Sequence, residues 1–250
     1  MASRKEEKER LQRAREEAES TSHKQERKRL ILGYVVAGLI SAAVLVGIVV
    51  AIVGGSDDSG GGSSASGDRL NDSFGIVPDG VTVDDRDSVE PPTNGNATDL
   101  QAAADAANCE LRTDQKDEGN THLDPGADLP AYEANPPTSG DHSADPLTDG
   151  AYAEAPSPLN YVHALEHGRI QIQYSPQLPE ESQLELLGLY DEDSAGMIIF
   201  PNPDMPYQVA ATAWTQTLGC DSYEGAATLD AIRAFRAEYR ARGPEPIAIN

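Results

Sequence analysis

The 250-residue sequence is poor in aromatic side chains, with nine Tyr, three Phe and one Trp, and it holds only two Cys. It has no glycine-rich phosphate loop, no C-x-x-C pair and no G-x-S-x-G elbow. Phosphate cradling, dithiol redox chemistry and serine-hydrolase chemistry are therefore left without the residues they need. Basic residues are scarce beyond position 29, where nine Lys/Arg stand against 35 Asp/Glu, a net charge of −26. A region so acidic stays soluble and repels nucleic acid and anionic lipid, so no nucleic-acid partner is expected. No internal repeat is present.

Charge of either sign is absent from one long run. The 24 residues Leu30–Val53 carry no ionisable side chain except Tyr34, and their one other polar residue is Ser41. As a helix they would extend roughly 36 Å, enough to cross a hydrocarbon core of ~30 Å. Residues 1–29 carry ten Lys/Arg and seven Glu, a net of +3. The positive flank keeps the amino terminus in the cytoplasm and places the carboxyl terminus outside. The charged flank and the apolar block are both too long for a cleaved signal peptide, which predicts an uncleaved signal-anchor. The expected protein is thus a single-pass cell-membrane protein. It has a cytoplasmic tail (1–29), a transmembrane helix (30–53), a flexible acidic linker (54–97) and an extracytoplasmic globular domain (98–250). The last has about 150 residues, sufficient for one core. Cys109 and Cys220 both fall in this outer domain, where an oxidising compartment favours a disulfide over a pair of metal-binding thiols.

Within the domain the patterning mixes periods. Thr98 is placed to cap a short Ala-rich helix over 99–108. Residues 111–150 are rich in Pro, Asp and Gly and read as ordered loop. Arg169–Tyr174 alternates Ile170, Ile172 and Tyr174 with Gln171 and Gln173, the pattern of a half-buried strand. Helices are predicted over 159–167, 180–190 and 228–242, and strands over 196–200 and 207–215. The fold class is α+β, with a small mixed sheet and a few helices, preceded by the transmembrane helix.

Chemistry concentrates in the histidines. His23 lies in the tail; the other four, His122, His142, His163 and His167, fall within 46 residues. His163-Ala164-Leu165-Glu166-His167 places two imidazoles at i and i+4, on one face if the segment is helical. It also fits the H-x-x-E-H pattern in which two His bind zinc and the Glu activates water. Gly168 follows at once and stops the helix, unlike the long helix of that peptidase class. Asn135-Pro136-Pro137-Thr138-Ser139-Gly140-Asp141-His142 reads as a rigid turn that aims His142. Three functions fit these residues. The first is a transition-metal site, zinc or copper, held by His142, His163 and His167 with His122 as fourth ligand. The second is a metallohydrolase with Glu166 as general base. The third is a noncatalytic envelope or interaction domain whose histidines are structural.

His122, Tyr132, the Asn135–His142 turn, Val162-His163-Ala164-Leu165-Glu166-His167-Gly168, Ala213-Trp214 and Pro244-Glu245 together resemble the bacterial proteins grouped as domain of unknown function 3105. The resemblance spans about residues 120–246. It implies a charged tail, a membrane anchor and an exported domain, and it supplies no activity. Cys109 and Cys220 lie outside that pattern, so their pairing is expected on compartment alone.

Overall fold

A computed structural model describes residues 69–71, 74–95 and 99–249. The expected tail (1–29), transmembrane helix (30–53) and first part of the linker (54–68) lie outside the described residues, as does Thr98. Among the described residues no helix is long and apolar enough to cross a membrane.

The described residues form nine strands and four helices, in order β1 (Leu70–Asn71), α1 (Leu100–Ala106), β2 (Cys109–Arg112), β3 (His122–Leu123), β4 (His142–Ser143), β5 (Asp149–Ala151), α2 (Pro158–Glu166), β6 (Ile170–Tyr174), α3 (Glu180–Glu192), β7 (Met197–Pro201), β8 (Val209–Ala213), β9 (Gln216–Cys220) and α4 (Ala226–Tyr239). Seven strands form one mixed sheet in the order β1-β5-β7-β6-β8-β9-β2. β5, β7 and β6 run parallel, and β8, β9 and β2 add antiparallel to their neighbours. β3 and β4 form a separate parallel ribbon, with His122 opposite His142. The α+β expectation therefore holds, with a larger sheet than the sequence pattern suggested.

Both faces of the sheet are covered. On one, Ile170, Ile172, Met197, Ile199 and Leu218 pack with residues of α1, α3 and α4, among them Leu187, Leu189, Ile232 and Phe235. On the other, Ile198 and Phe200 pack with Tyr161, Val162 and Leu165 of α2 and with Leu147. This second cover corrects the half-buried reading of β6. Gln171 and Gln173 are fully buried, and their amides are satisfied internally. Gln171 donates to the Tyr161 carbonyl, and Gln173 accepts from Asn202 Nδ2 at 2.7 Å. A buried amide is tolerated when its hydrogen bonds are made inside the protein, so alternation of polarity here does not mean alternation of exposure.

The predicted flexible linker (54–97) is also corrected from Arg69 onward. Arg69 is buried and donates to both carboxylate oxygens of Asp191, at 3.1 and 3.0 Å, and to the carbonyls of Asp84 and Arg86. Phe74 is buried, Val89 donates its N–H to the Leu184 carbonyl, and Thr93 donates to Asp230 at 2.7 Å. The segment is anchored by hydrogen bonds and two charged networks rather than by apolar periodicity, so composition alone reads it as loose.

Cys109 and Cys220 sit opposite one another on β2 and β9 and are disulfide-bonded, with their Cα atoms 4.2 Å apart. That spacing suits the close, non-hydrogen-bonded pairs of an antiparallel ladder. The bridge staples the edge strand to the sheet.

Candidate metal centre

α2 supplies two of the site's side chains. Ser157 caps it by accepting from the Leu159 N–H, and Pro158 opens its first turn, where no donor is needed. Gly168 ends it at φ +81°, and a Cβ there would lie 2.8 Å from Ala241 Cα. Only glycine meets both conditions. The helix therefore finishes at Glu166. His163 and Glu166, three apart, share the buried side that faces the β3–β4 ribbon.

The ribbon supplies the other two. Its incoming turn is tied down along its length. Gly140 N donates to Gly119 O at 2.8 Å, His142 N donates to Thr121 O at 3.0 Å, and Tyr132 Oη donates to Asp141 O at 2.9 Å. Gly140 has φ +120°, and a Cβ there would strike the Tyr132 ring at 2.8 Å. The rigid turn expected over Asn135–His142 is thus present, and it aims His142 at α2. Thr215, at φ +58° in the β8–β9 turn, donates its N–H to Thr138 O and accepts from Gln115 N, which locks the turn from behind.

Three imidazoles converge on one oxygen. Glu166 Oε2 lies 3.1 Å from His142 Nε2, 3.7 Å from His122 Nε2 and 3.8 Å from His163 Nε2. One ligand atom from each of these four residues falls within 4.8 Å of all the others. His142 Nδ1 donates to Gly140 O at 2.8 Å and His163 Nδ1 donates to Ser143 O at 2.7 Å. A carbonyl can only accept, so each Nδ1 carries the proton, and in the neutral ring Nε2 presents a lone pair. Asn120 Nδ2 holds the other carboxylate oxygen, Oε1, at 2.8 Å. Burial pushes the His142 imidazolium down, against the pull of the Gly140 carbonyl and Glu166. Burial and the adjacent His142 push His163 down to about 3. Both rings are therefore neutral near pH 7.

The donor set can hold a metal ion. Tetrahedral zinc, with bonds of ~2.0–2.1 Å, needs donors roughly 3.3 Å apart. The three distances to Glu166 Oε2, 3.1 to 3.8 Å, lie near that figure, while the full donor set spans up to 4.8 Å, so the histidines would draw together by about an ångström to close on an ion. Nδ1–H bonds to carbonyls are the usual outer support of a histidine ligand, fixing its tautomer and ring orientation.

His122, His142 and His163 thus meet as the sequence suggested, but His167 does not join them. The i,i+4 rings do lie side by side, with centroids 4.6 Å apart, but His167 caps the helix and is not among the four residues whose ligand atoms gather. His167 instead donates from Nδ1 to Glu245 O at 2.7 Å and sets its ring edge-on to Phe74, 5.7 Å away. The fourth donor is Glu166, which the peptidase pattern had cast as a base. Asn120 was not singled out in the sequence; its only signal is its place two residues before His122. Met197 lies in the core on the opposite face of the sheet. Trp214 stands edge-on to His142 at 6.3 Å and also borders a cleft of about 430 Å³ whose other walls include Asp114, Tyr239 and Arg242.

Fold and site together define a two-faced α+β domain carrying a three-histidine, one-carboxylate cluster able to hold a metal. The family described as "Protein of unknown function (DUF3105)" matches residues 126–250, half of the chain, and the chain belongs to that family. No curated protein and no solved structure matches it. The matched segment contains His142, His163 and Glu166; Asn120 and His122 precede it.

Proposed function

We propose that this protein is a membrane-tethered extracytoplasmic domain that binds a transition metal, zinc or copper, through His122, His142, His163 and Glu166. One observation carries the reading. His142 Nε2, whose ring proton is committed to the Gly140 carbonyl, faces a carboxylate oxygen 3.1 Å away. A lone pair and a carboxylate oxygen at that distance repel unless a cation lies between them, and burial disfavours supplying it as an imidazolium proton. Two further Nε2 atoms point at the same oxygen. Imidazole and carboxylate donors without a thiolate suit zinc and copper(II).

The tether is supported by the apolar run 30–53 and its basic flank.

The test is elemental analysis of the full-length protein purified in detergent. Near-stoichiometric zinc or copper is expected in the native sequence and none in His163→Ala. Chelator should lower the melting temperature of the first and leave the second unchanged; saturating metal at a hundred times its Kd is worth about 2.7 kcal/mol. A native protein that is metal-free and indifferent to chelator would end the proposal. Glu166→Gln separates ligand from base: a base variant keeps its metal and loses hydrolysis, whereas the geometry here predicts loss of the metal itself.

A further inference from the structure

We propose that His122 is the displaceable member of the metal site, so that the bound ion offers one solvent-facing position to a small nitrogen or oxygen donor from outside the chain. The inference rests on the metal-binding reading above and adds how the site is opened.

The four donors are not held alike. The side chains of His142, His163 and Glu166 are 0%, 4% and 1% exposed, whereas that of His122 is 47% exposed. Each of the first three is also pinned by a second hydrogen bond on its far side: His142 by Gly140 O, His163 by Ser143 O and Glu166 by Asn120 Nδ2. No hydrogen bond among the described residues fixes the Nδ1 of His122, which stands on a strand of only two residues, paired on one side to β4.

The consequences differ for each donor. Moving a buried, pinned ligand off the ion breaks its outer hydrogen bond and disturbs packing. Moving His122 breaks no outer hydrogen bond and gives up only its ring contacts with His142 and His163, at 5.1 and 4.6 Å between centroids; the ring swings into water, regains rotamer freedom and can be replaced by a donor of similar strength. Solvent reaches the cluster on the His122 side. Three fixed ligands and one exchangeable position is the arrangement of a site that acts on or passes on something, whereas structural sites are closed on all four sides. The donor class that fits follows from the ligand being replaced: a monodentate imidazole- or carboxylate-bearing small molecule.

Cobalt(II) titration followed by visible absorption tests this on the full-length protein. His122→Ala should bind cobalt on the order of 100-fold more weakly than the native sequence, the upper end of the range for losing an outer partner, since a ligand itself is lost. Millimolar free imidazole should restore most of that affinity by occupying the open position. His163→Gln, which keeps the enclosed volume filled, should bind no cobalt with or without imidazole. His122→Ser repeats the measurement and guards against a folding defect peculiar to the alanine. Native-like cobalt affinity in His122→Ala, or total loss that imidazole does not relieve, overturns the proposal while leaving the metal site standing. Failure of the native protein to take up cobalt would instead remove the metal reading and this inference together.

Discussion

Glu166 and His167 are adjacent in the chain and have opposite fates. One is sealed beneath three imidazoles, and the other hands its Nδ1 proton to the Glu245 carbonyl. The His-x-x-Glu spacing was legible in the sequence, since positions three apart share a helix face. Both Glu166 and His167 keep their side chains near His163, and what separates them is a partner from far along the chain: His167 Nδ1 bonds Glu245 O, beside the close approach of Ala241 to Gly168, contacts between segments more than 70 residues apart. His163 gives a pH prediction. Its folded-state pKa is depressed to about 3, against ~6.5 when unfolded. The unfolded chain then binds more protons across that interval, so stability is full above ~7 and falls as pH drops below the unfolded value. In chelated protein the urea midpoint should decline between pH ~7 and ~5, and the decline should be shallower in His163→Gln.

At the level of elements, α3 and α4 were legible from apolar spacing, because each packs one face on the sheet, whereas α1 was read from its alanines, with Asp99 rather than Thr98 as the observed cap, and α2 from the histidine segment that Gly168 ends. The strands β6, β7 and β8 were legible for a similar reason. The β3–β4 ribbon was not, since it is two residues long on each side and is maintained by turn hydrogen bonds rather than by a side-chain period. The arm over 69–95 was missed on the same grounds. Its seating on α3 depends on Gly188, where an added Cβ would lie 2.0 Å from Val89 O. Gly188→Ala should therefore lift the arm from the helix, at a cost of about 1–3 kcal/mol. Limited proteolysis should show new cleavage within 84–95, and the melting temperature should fall.

For the whole molecule, the disulfide joins residues 111 apart in sequence across the sheet's edge. Replacing both cysteines with serine should cost up to about 4–5 kcal/mol in the chain-entropy picture. The pair lies on the face packed by α1, α3 and α4, away from the α2 side that carries the ligands. Cobalt affinity in the folded variant should accordingly match the native value; a parallel loss would mean the edge strand helps shape the ligand cluster. The acidic balance and the lack of a phosphate loop restricted the function classes from the outset, while the convergence of His122, His142 and His163 needed coordinates, because the three arrive from different segments.

Arg69 bears on how this domain would respond to being pulled. Its guanidinium makes four hydrogen bonds to Asp191, Asp84 and Arg86, immediately before β1. Force applied at Arg69 would load that fastening and pass into α3 through Asp191. Mechanical wear would thus begin by peeling the arm, with the histidine cluster among the later parts to feel the strain.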